Sequence, residues 1–225
     1  NIPHLRKSLD QHARDNNLAP QEFRKKIRSL HAKLFEHRGK RIHPQKDDKV
    51  LTDWNGLMIS AFSQSAKALN QQKYLKIAQK AADFCLSELR QKNGRLLKRW
   101  RRGKAGLPAH LEDYAFLTQG LLDLYEASFK VKYLQAAIEL VDLTRKHFED
   151  SENGGFFLTA DDGEKLLIRA KEIYDGAIPS GNSVMALNLL RVHKITGQEK
   201  YLHSAENLFS AFSGFLQKSP QGAEV

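Results

Sequence analysis

The sequence predicts an all-α protein built from helical hairpins, and three observations predict it. The tripeptide Lys-Tyr-Leu recurs at Lys73-Tyr74-Leu75, Lys132-Tyr133-Leu134 and Lys200-Tyr201-Leu202. Each tyrosine follows, at the same distance (74−55, 133−114 and 201−182, all 19), a residue that heads an apolar stretch: Asn55, Tyr114 and Asn182. Each tripeptide then opens a segment with a single apolar stripe. The stripes are Leu75, Ala78, Ala82, Cys85; then Leu134, Ala137, Ile138, Val141; then Leu202, Ala205, Leu208, Phe212. Spacings of three and four residues are those of one helix face, and self-similarity at a fixed register marks a repeat architecture.

Residues 1–45 form an N-terminal helical segment. Pro20 suits the first turn of a helix, Phe23, Ile27, Leu30 and Leu34 mark its apolar face, and Gly39 closes it. Hairpins follow at 46–92, 108–149 and 178–217. The first helix of each is apolar nearly all round, as in Leu57-Met58-Ile59, Ala115-Phe116-Leu117 and Val184-Met185-Ala186-Leu187, so it must be buried on most sides. A buried helix followed by a one-faced helix, three times over, gives an α/α hairpin array. Such an array curls into a partial (α/α) toroid with an inner and an outer ring. Glycine-bounded Gly94–Trp100, Gly154–Thr159 and Lys165–Arg169 read as short β pieces between hairpins. Residues 1–225 are read as one helical domain. A start at Asn1 and an end at Val225 suggest a fragment of something longer.

Composition narrows the function classes. A hydrophobic share of 41% with 28% charged residues, and no apolar run near the ~20 residues of a spanning helix, exclude a membrane protein of helical type. Cys85 is the single cysteine, which rules out an internal disulfide or a C-x-x-C pair. With no signal-like start, a cytoplasmic setting is expected. The net charge of +10 is dispersed except at Lys98-Arg99-Trp100-Arg101-Arg102-Gly103-Lys104; scattered cations are usually a solvated face, so nucleic acid is not an expected partner. His31, His37 and His43 lack ligand spacing and H-E-x-x-H is absent, so neither a metal nor another cofactor is expected.

The segments entering the inner helices concentrate the chemistry. They are Asp47 to Gly56 (D-D-K-V-L-T-D-W-N-G), Leu111 to Tyr114 (L-E-D-Y) and Tyr174 to Ser183 (Y-D-G-A-I-P-S-G-N-S), at equivalent places in the repeat. In a ring all three helix starts share one end of the cavity. Paired carboxylates suit sugar chemistry, one protonating a leaving group while another activates water or abstracts a proton, with aromatic rings on the sugar face. Asp53, Glu112 and Asp113 are the candidate acids. Trp54, Asn55, Tyr114, Tyr174, Asp175 and Asn182 are the candidate ligand contacts, and His110 is a minor acid–base candidate. Against this stands the plain role of such residues: acids and Ser180 cap helix N-termini, and Trp54 and Tyr114 pack cores.

These blocks, with Gly154–Thr159 and the continuation to Ile59, resemble proteins that join a thioredoxin-like domain to a C-terminal six-hairpin toroid, among them the spermatogenesis-associated thioredoxin-domain proteins and bacterial relatives. The resemblance covers nearly the whole chain. It implies that a thioredoxin-like domain and the first hairpins belong before Asn1. It also implies a toroid similar to six-hairpin glycosidases and N-acylglucosamine 2-epimerases. A fold does not choose the activity, and no epimerase histidine pair can be placed on this sequence. Two functions stay open: a carbohydrate-active, hydrolase- or epimerase-like pocket for a sugar or other small molecule, and a non-catalytic scaffold for a protein partner or the thioredoxin-like domain.

Overall fold

The structure, a computed structural model, describes residues 4–219 and Gly222. The chain divides into two compact units, 1–47 and 48–225. In the first, α1 (Leu9–Asp15) opens on a Ser8 capping box closed by Gln11. Pro20 begins α2 (Pro20–Gly39), none of whose residues is buried, and Arg24 of α2 pairs with Asp10 of α1 at 2.7 Å.

The second unit holds three hairpins. α3 (Thr52–Ala68) and α4 (Gln72–Glu88) form the first, α5 (Leu111–Ser128) and α6 (Val131–Phe148) the second, α7 (Gly181–Thr196) and α8 (Glu199–Lys218) the third. α3, α5 and α7 lie side by side as the inner row. Glycine sets how closely they approach. A Cβ on Gly56 would stand 2.5 Å from the Leu117 backbone nitrogen, and one on Gly120 2.6 Å from the Gly56 carbonyl, so α3 and α5 touch backbone to backbone. At the head of α7 a Cβ on Gly181 would meet Leu111 Cγ at 2.7 Å and lie 3.4 Å from the Glu112 amide nitrogen. The three inner helices therefore start at the same end. α5 is the most enclosed, with Tyr114 to Thr118 buried without a break, as its apolar circumference requires.

The core runs between the rows: Ala78, Ala82 and Cys85 of α4, Tyr133, Ala137, Leu140 and Val141 of α6, and Tyr201, Ala205 and Leu208 of α8 face inward. The helices α5 and α7 each end on a left-handed residue that begins the short connection, Phe129 and Gly197. Among the described residues no helix is long and apolar enough to cross a membrane.

Among the described residues one three-stranded antiparallel sheet joins the first two hairpins, in the order β1 (Val50–Leu51), β2 (Leu97–Arg101), β3 (Lys104–Pro108). The expected β piece at 94–100 thus begins late and continues into a tight hairpin. Its two central residues, Arg102 and Gly103, both have positive φ, the conformation that a two-residue turn between twisted strands requires. The other two expected pieces are not strands. Residues 154–159 make one isolated bridge, Phe156 to Glu149, and 165–169 run as irregular chain. The reason is visible in the hydrogen bonds: at 154–159 the backbone is shared among separate partners, Asn182 taking Phe156 and Lys171 the Gly154 carbonyl, while Phe157 and Leu158 bond the carbonyls of Phe148 and Ala170, so no single partner strand forms.

Candidate functional site

Asp113 stands at the third position of α5 and turns back over the helix start. One oxygen accepts the His110 amide at 2.8 Å; the other accepts the Asp53 amide of neighbouring α3 at 3.1 Å. A single carboxylate therefore serves two helix N-termini, where unpaired amides favour negative charge. Its charge is met by Lys98 of β2, whose ammonium lies 3.3 and 3.4 Å from the two Asp113 oxygens and 3.0 Å from the second acid, Asp53.

Asp113 is fully buried. Burial pushes its pKa up to about 6, against the lowering pull of Lys98 and the His110 amide, while the charge of Asp53 pushes it further up. Burial alone would lower the Lys98 ammonium, but the Asp113 charge and the bond to Asp53 outweigh it and hold Lys98 above the ordinary lysine value. Lys98 is thus the charged hinge of the cluster. In the sequence it reads only as one cation of a basic run. The signal that marks it is strand alternation, since β2 turns Leu97 and Lys98 to opposite faces.

The remaining sequence-predicted residues separate into two groups. Asp53, Trp54, Glu112 and Tyr174 reach solvent. Asp53 also accepts the Trp54 amide at 2.8 Å. The Trp54 side chain is 53% exposed and Tyr174 is exposed. Glu112 is half-buried, and its carboxylate makes no hydrogen bond or ion pair among the described residues.

Asn55, Tyr114, Asp175 and Asn182 are engaged in holding the fold. Asn55 donates to the Leu51 carbonyl at 2.7 Å, and Asp175 accepts the Ser180 amide at 2.7 Å before α7. Tyr114 is fully buried against Phe148, ring centroids 5.1 Å apart. Its hydroxyl accepts from Arg95 Nε at 3.1 Å and the Leu96 amide at 2.9 Å. Asn182, also fully buried, accepts the Phe156 amide at 2.8 Å and donates to the carbonyls of Phe156 and Glu172 at 2.9 and 2.8 Å. Both project from helices enclosed on nearly every side, which is why their polar groups meet backbone rather than an opening. His110 is exposed and joins the cluster through its backbone.

A cavity of about 640 Å³ adjoins the cluster, bounded by Lys98 and His110 together with Arg95, Leu107, Ala160 and Glu164. That volume falls in the range of small-molecule sites. Arg95 on its wall is paired with Asp162 at 2.6 Å. Asp162, Asp161 and His147 bring donor atoms within 4.8 Å of one another, but both acids already have partners, Asp162 the Arg95 guanidinium and Asp161 the His147 Nδ1 at 2.9 Å. The basic run 98–104 presents no aromatic platform, because Trp100 packs edge-on against Phe84 with centroids 5.6 Å apart, and Arg101 is paired with Asp48.

An arc of α/α hairpins with its acids at the common start of the inner helices belongs to the α/α-toroid class. Solved structures bear this out. The chain matches a GH76 α-mannanase from Bacteroides thetaiotaomicron at a TM-score of 0.60 and 21% identity, over 76% of this chain and 46% of that one. It matches cellobiose 2-epimerase from Spirochaeta thermophila at 0.61 and 18%, over 75% and 44%. It matches an inactive α-1,6-mannanase variant from Salegentibacter, solved with α-1,6-mannotriose, at 0.56 and 17%, over 87% and 54%. No protein-family model matches the chain. Its homologues are the spermatogenesis-associated proteins 20: it is 37% identical to the human and 36% to the mouse protein, in both over 98% of this chain. The chain spans 29% of the length of these curated relatives.

Proposed function

We propose that the chain carries a carbohydrate-active pocket, hydrolase- or epimerase-like, at the N-terminal end of the inner helices. The observation that carries this reading is the junction at Lys98: one ammonium bridges Asp53 and Asp113 and also lines a cavity large enough for a sugar. Asp53 and Glu112 are the acids with access to solvent. Asp113 is a positioning residue, fixing Asp53 through its amide and through the shared lysine. Trp54 and Tyr174 offer exposed rings for a sugar face, while Asn55, Tyr114, Asp175 and Asn182 hold the segments that carry them. The neighbours act on or bind mannosides and cellobiose by their names, and these are the first sugars to try.

The test is calorimetric titration and product analysis with the gene's full-length product, using α-mannosides, cellobiose and a broader oligosaccharide panel. Binding or turnover that Asp53→Asn or Glu112→Gln reduces at least tenfold supports the pocket. Inertness across the panel sinks it. The second reading, a non-catalytic scaffold for a protein or a thioredoxin-like domain, draws on the fact that all the bonds of Asp113 are internal to the fold.

A further inference from the structure

Successive outer helices are fastened by a repeated clasp. Lys132 of α6 lies 2.6 Å from the Asp83 carboxylate of α4, and the Tyr133 hydroxyl donates to the same oxygen at 3.1 Å. One hairpin on, Lys200 lies 2.8 Å from Asp142 of α6, and the Tyr201 hydroxyl is 3.1 Å from the same oxygen. In each pair the ammonium also sits over its own tyrosine ring, 4.7 and 4.6 Å from the centroid. Each accepting aspartate stands nine positions beyond the tyrosine of its own helix (83−74, 142−133). An outer helix thus presents a Lys-Tyr pair to the hairpin before it and an aspartate to the hairpin after it.

α4 carries the same pair, with Lys73 over the Tyr74 ring at 4.9 Å. Among the described residues Lys73 has no carboxylate partner and the Tyr74 hydroxyl no acceptor. The surface around the pair is open in the same sense. Three positions past each tyrosine, Ile77 is 45% exposed, whereas Ala136 and Ser204 are 6% and 2% exposed. On the inner helix Met58 is 50% exposed, whereas the equivalent Leu117 and Met185 (58+59, 117+68) are fully buried. Both helices of the first hairpin expose the positions that the later hairpins cover.

We propose that this α3–α4 face docks one further hairpin of the same repeat, carried by the part of the polypeptide outside these 225 residues. Its outer helix places an aspartate on Lys73 and Tyr74. The preference for an acid follows from charge complementarity and from the two clasps already formed. A second copy of this chain is the poorer occupant, because the end it would offer, α8, has Ser210 nine positions beyond Tyr201 (210−201). The curated relatives provide the length, since this chain spans 29% of them. This inference is independent of the carbohydrate reading.

Zero-length carbodiimide cross-linking of the full-length gene product, read by peptide mass spectrometry, tests it. The Lys132–Asp83 and Lys200–Asp142 links are internal standards. The expected result is a third link, from Lys73 to an aspartate outside residues 1–225, lost in Lys73→Ala. Absence of that link while both standards form overturns the proposal. So does a link from Lys73 to a carboxylate within residues 1–225, of the same copy or another.

Discussion

Replacing Asp113 with asparagine should remove a pH dependence of stability whose sign is specific. The carboxyl has a pKa of about 6 in the folded chain against an ordinary 3.8. Between these values the folded protein holds a proton that the unfolded chain has lost, so stability falls as pH rises through the window. A displacement of about 2 units, at about 1.36 kcal/mol each, amounts to about 3 kcal/mol. Asparagine keeps an acceptor for only one of the His110 and Asp53 amides, a loss that does not vary with pH, and it has nothing to titrate. The stability of D113N relative to wild type should therefore improve by about 2.5 kcal/mol between pH 4 and pH 8, a little less than the full displacement because the unfolded carboxyl is still partly protonated at pH 4. Urea titrations at half-unit pH steps, followed by fluorescence of Trp54 and Trp100, measure this. Groups common to both proteins cancel in the difference, including Asp150, which its bond to Lys171 holds well below the carboxylate range. A flat difference would refute the displaced pKa. A difference that shrinks with pH would show that Lys98 and the two amides outweigh burial.

Three further substitutions probe the scaffold. Gly56→Ala inserts a methyl against the Leu117 backbone and should cost about 3 kcal/mol, at the upper end for overpacking. Gly214→Ala, within α8 and with nothing within 4 Å, should instead gain ~0.5–1 kcal/mol; chemical denaturation of both variants gives the contrast, and similar losses would contradict the close α3–α5 approach. Asn182→Ala strands the Phe156 amide and two carbonyls and should cost about 3 kcal/mol, a loss that Asp would only partly restore because it cannot donate to the carbonyls.

The hairpins were legible because their signals are periodic. The stripe from Leu75 to Cys85 and the matching stripes of α6 and α8 name the faces that the core covers. Asp53 and Asp113 were legible as neighbours because the repeat places their segments at one end of the inner row. Lys98 was not, because nothing local shows that β2 lies across two helix starts; β1 and β2 meet through the pairing of distant residues, Val50 with Trp100 and Leu51 with Arg99. Nor did the sequence show that Tyr114 and Asn182 face inward. Their helices are apolar all round, so the pattern assigns no side to a polar residue within them. Glycine-rich 154–159 resembled a strand because its composition fits one, but Asn182 takes both backbone groups of Phe156, and Phe157 and Leu158 bond two different segments.

The repeat also separates two ways in which adjacent hairpins specify each other. The outer clasp uses the same residues each time, so it surfaces as a recurring tripeptide. At the far end of the inner helices the equivalent positions 64, 123 and 191 (64+59, 123+68) carry Gln64, Asp123 and Arg191. These differ and bind one another: Asp123 accepts from Gln64 at 3.1 Å and from Arg191 at 2.8 Å. Glu126 adds a second tier, pairing with Lys67 at 3.1 Å and Arg191 at 2.7 Å. A neutral, an acidic and a basic residue in one register position form a network only with the acid between the other two, so the inner row fixes the second hairpin as the middle one. The outer row, with identical pairs, fixes only their spacing. Self-similarity reveals the second kind of contact and hides the first, because complementary residues do not look alike.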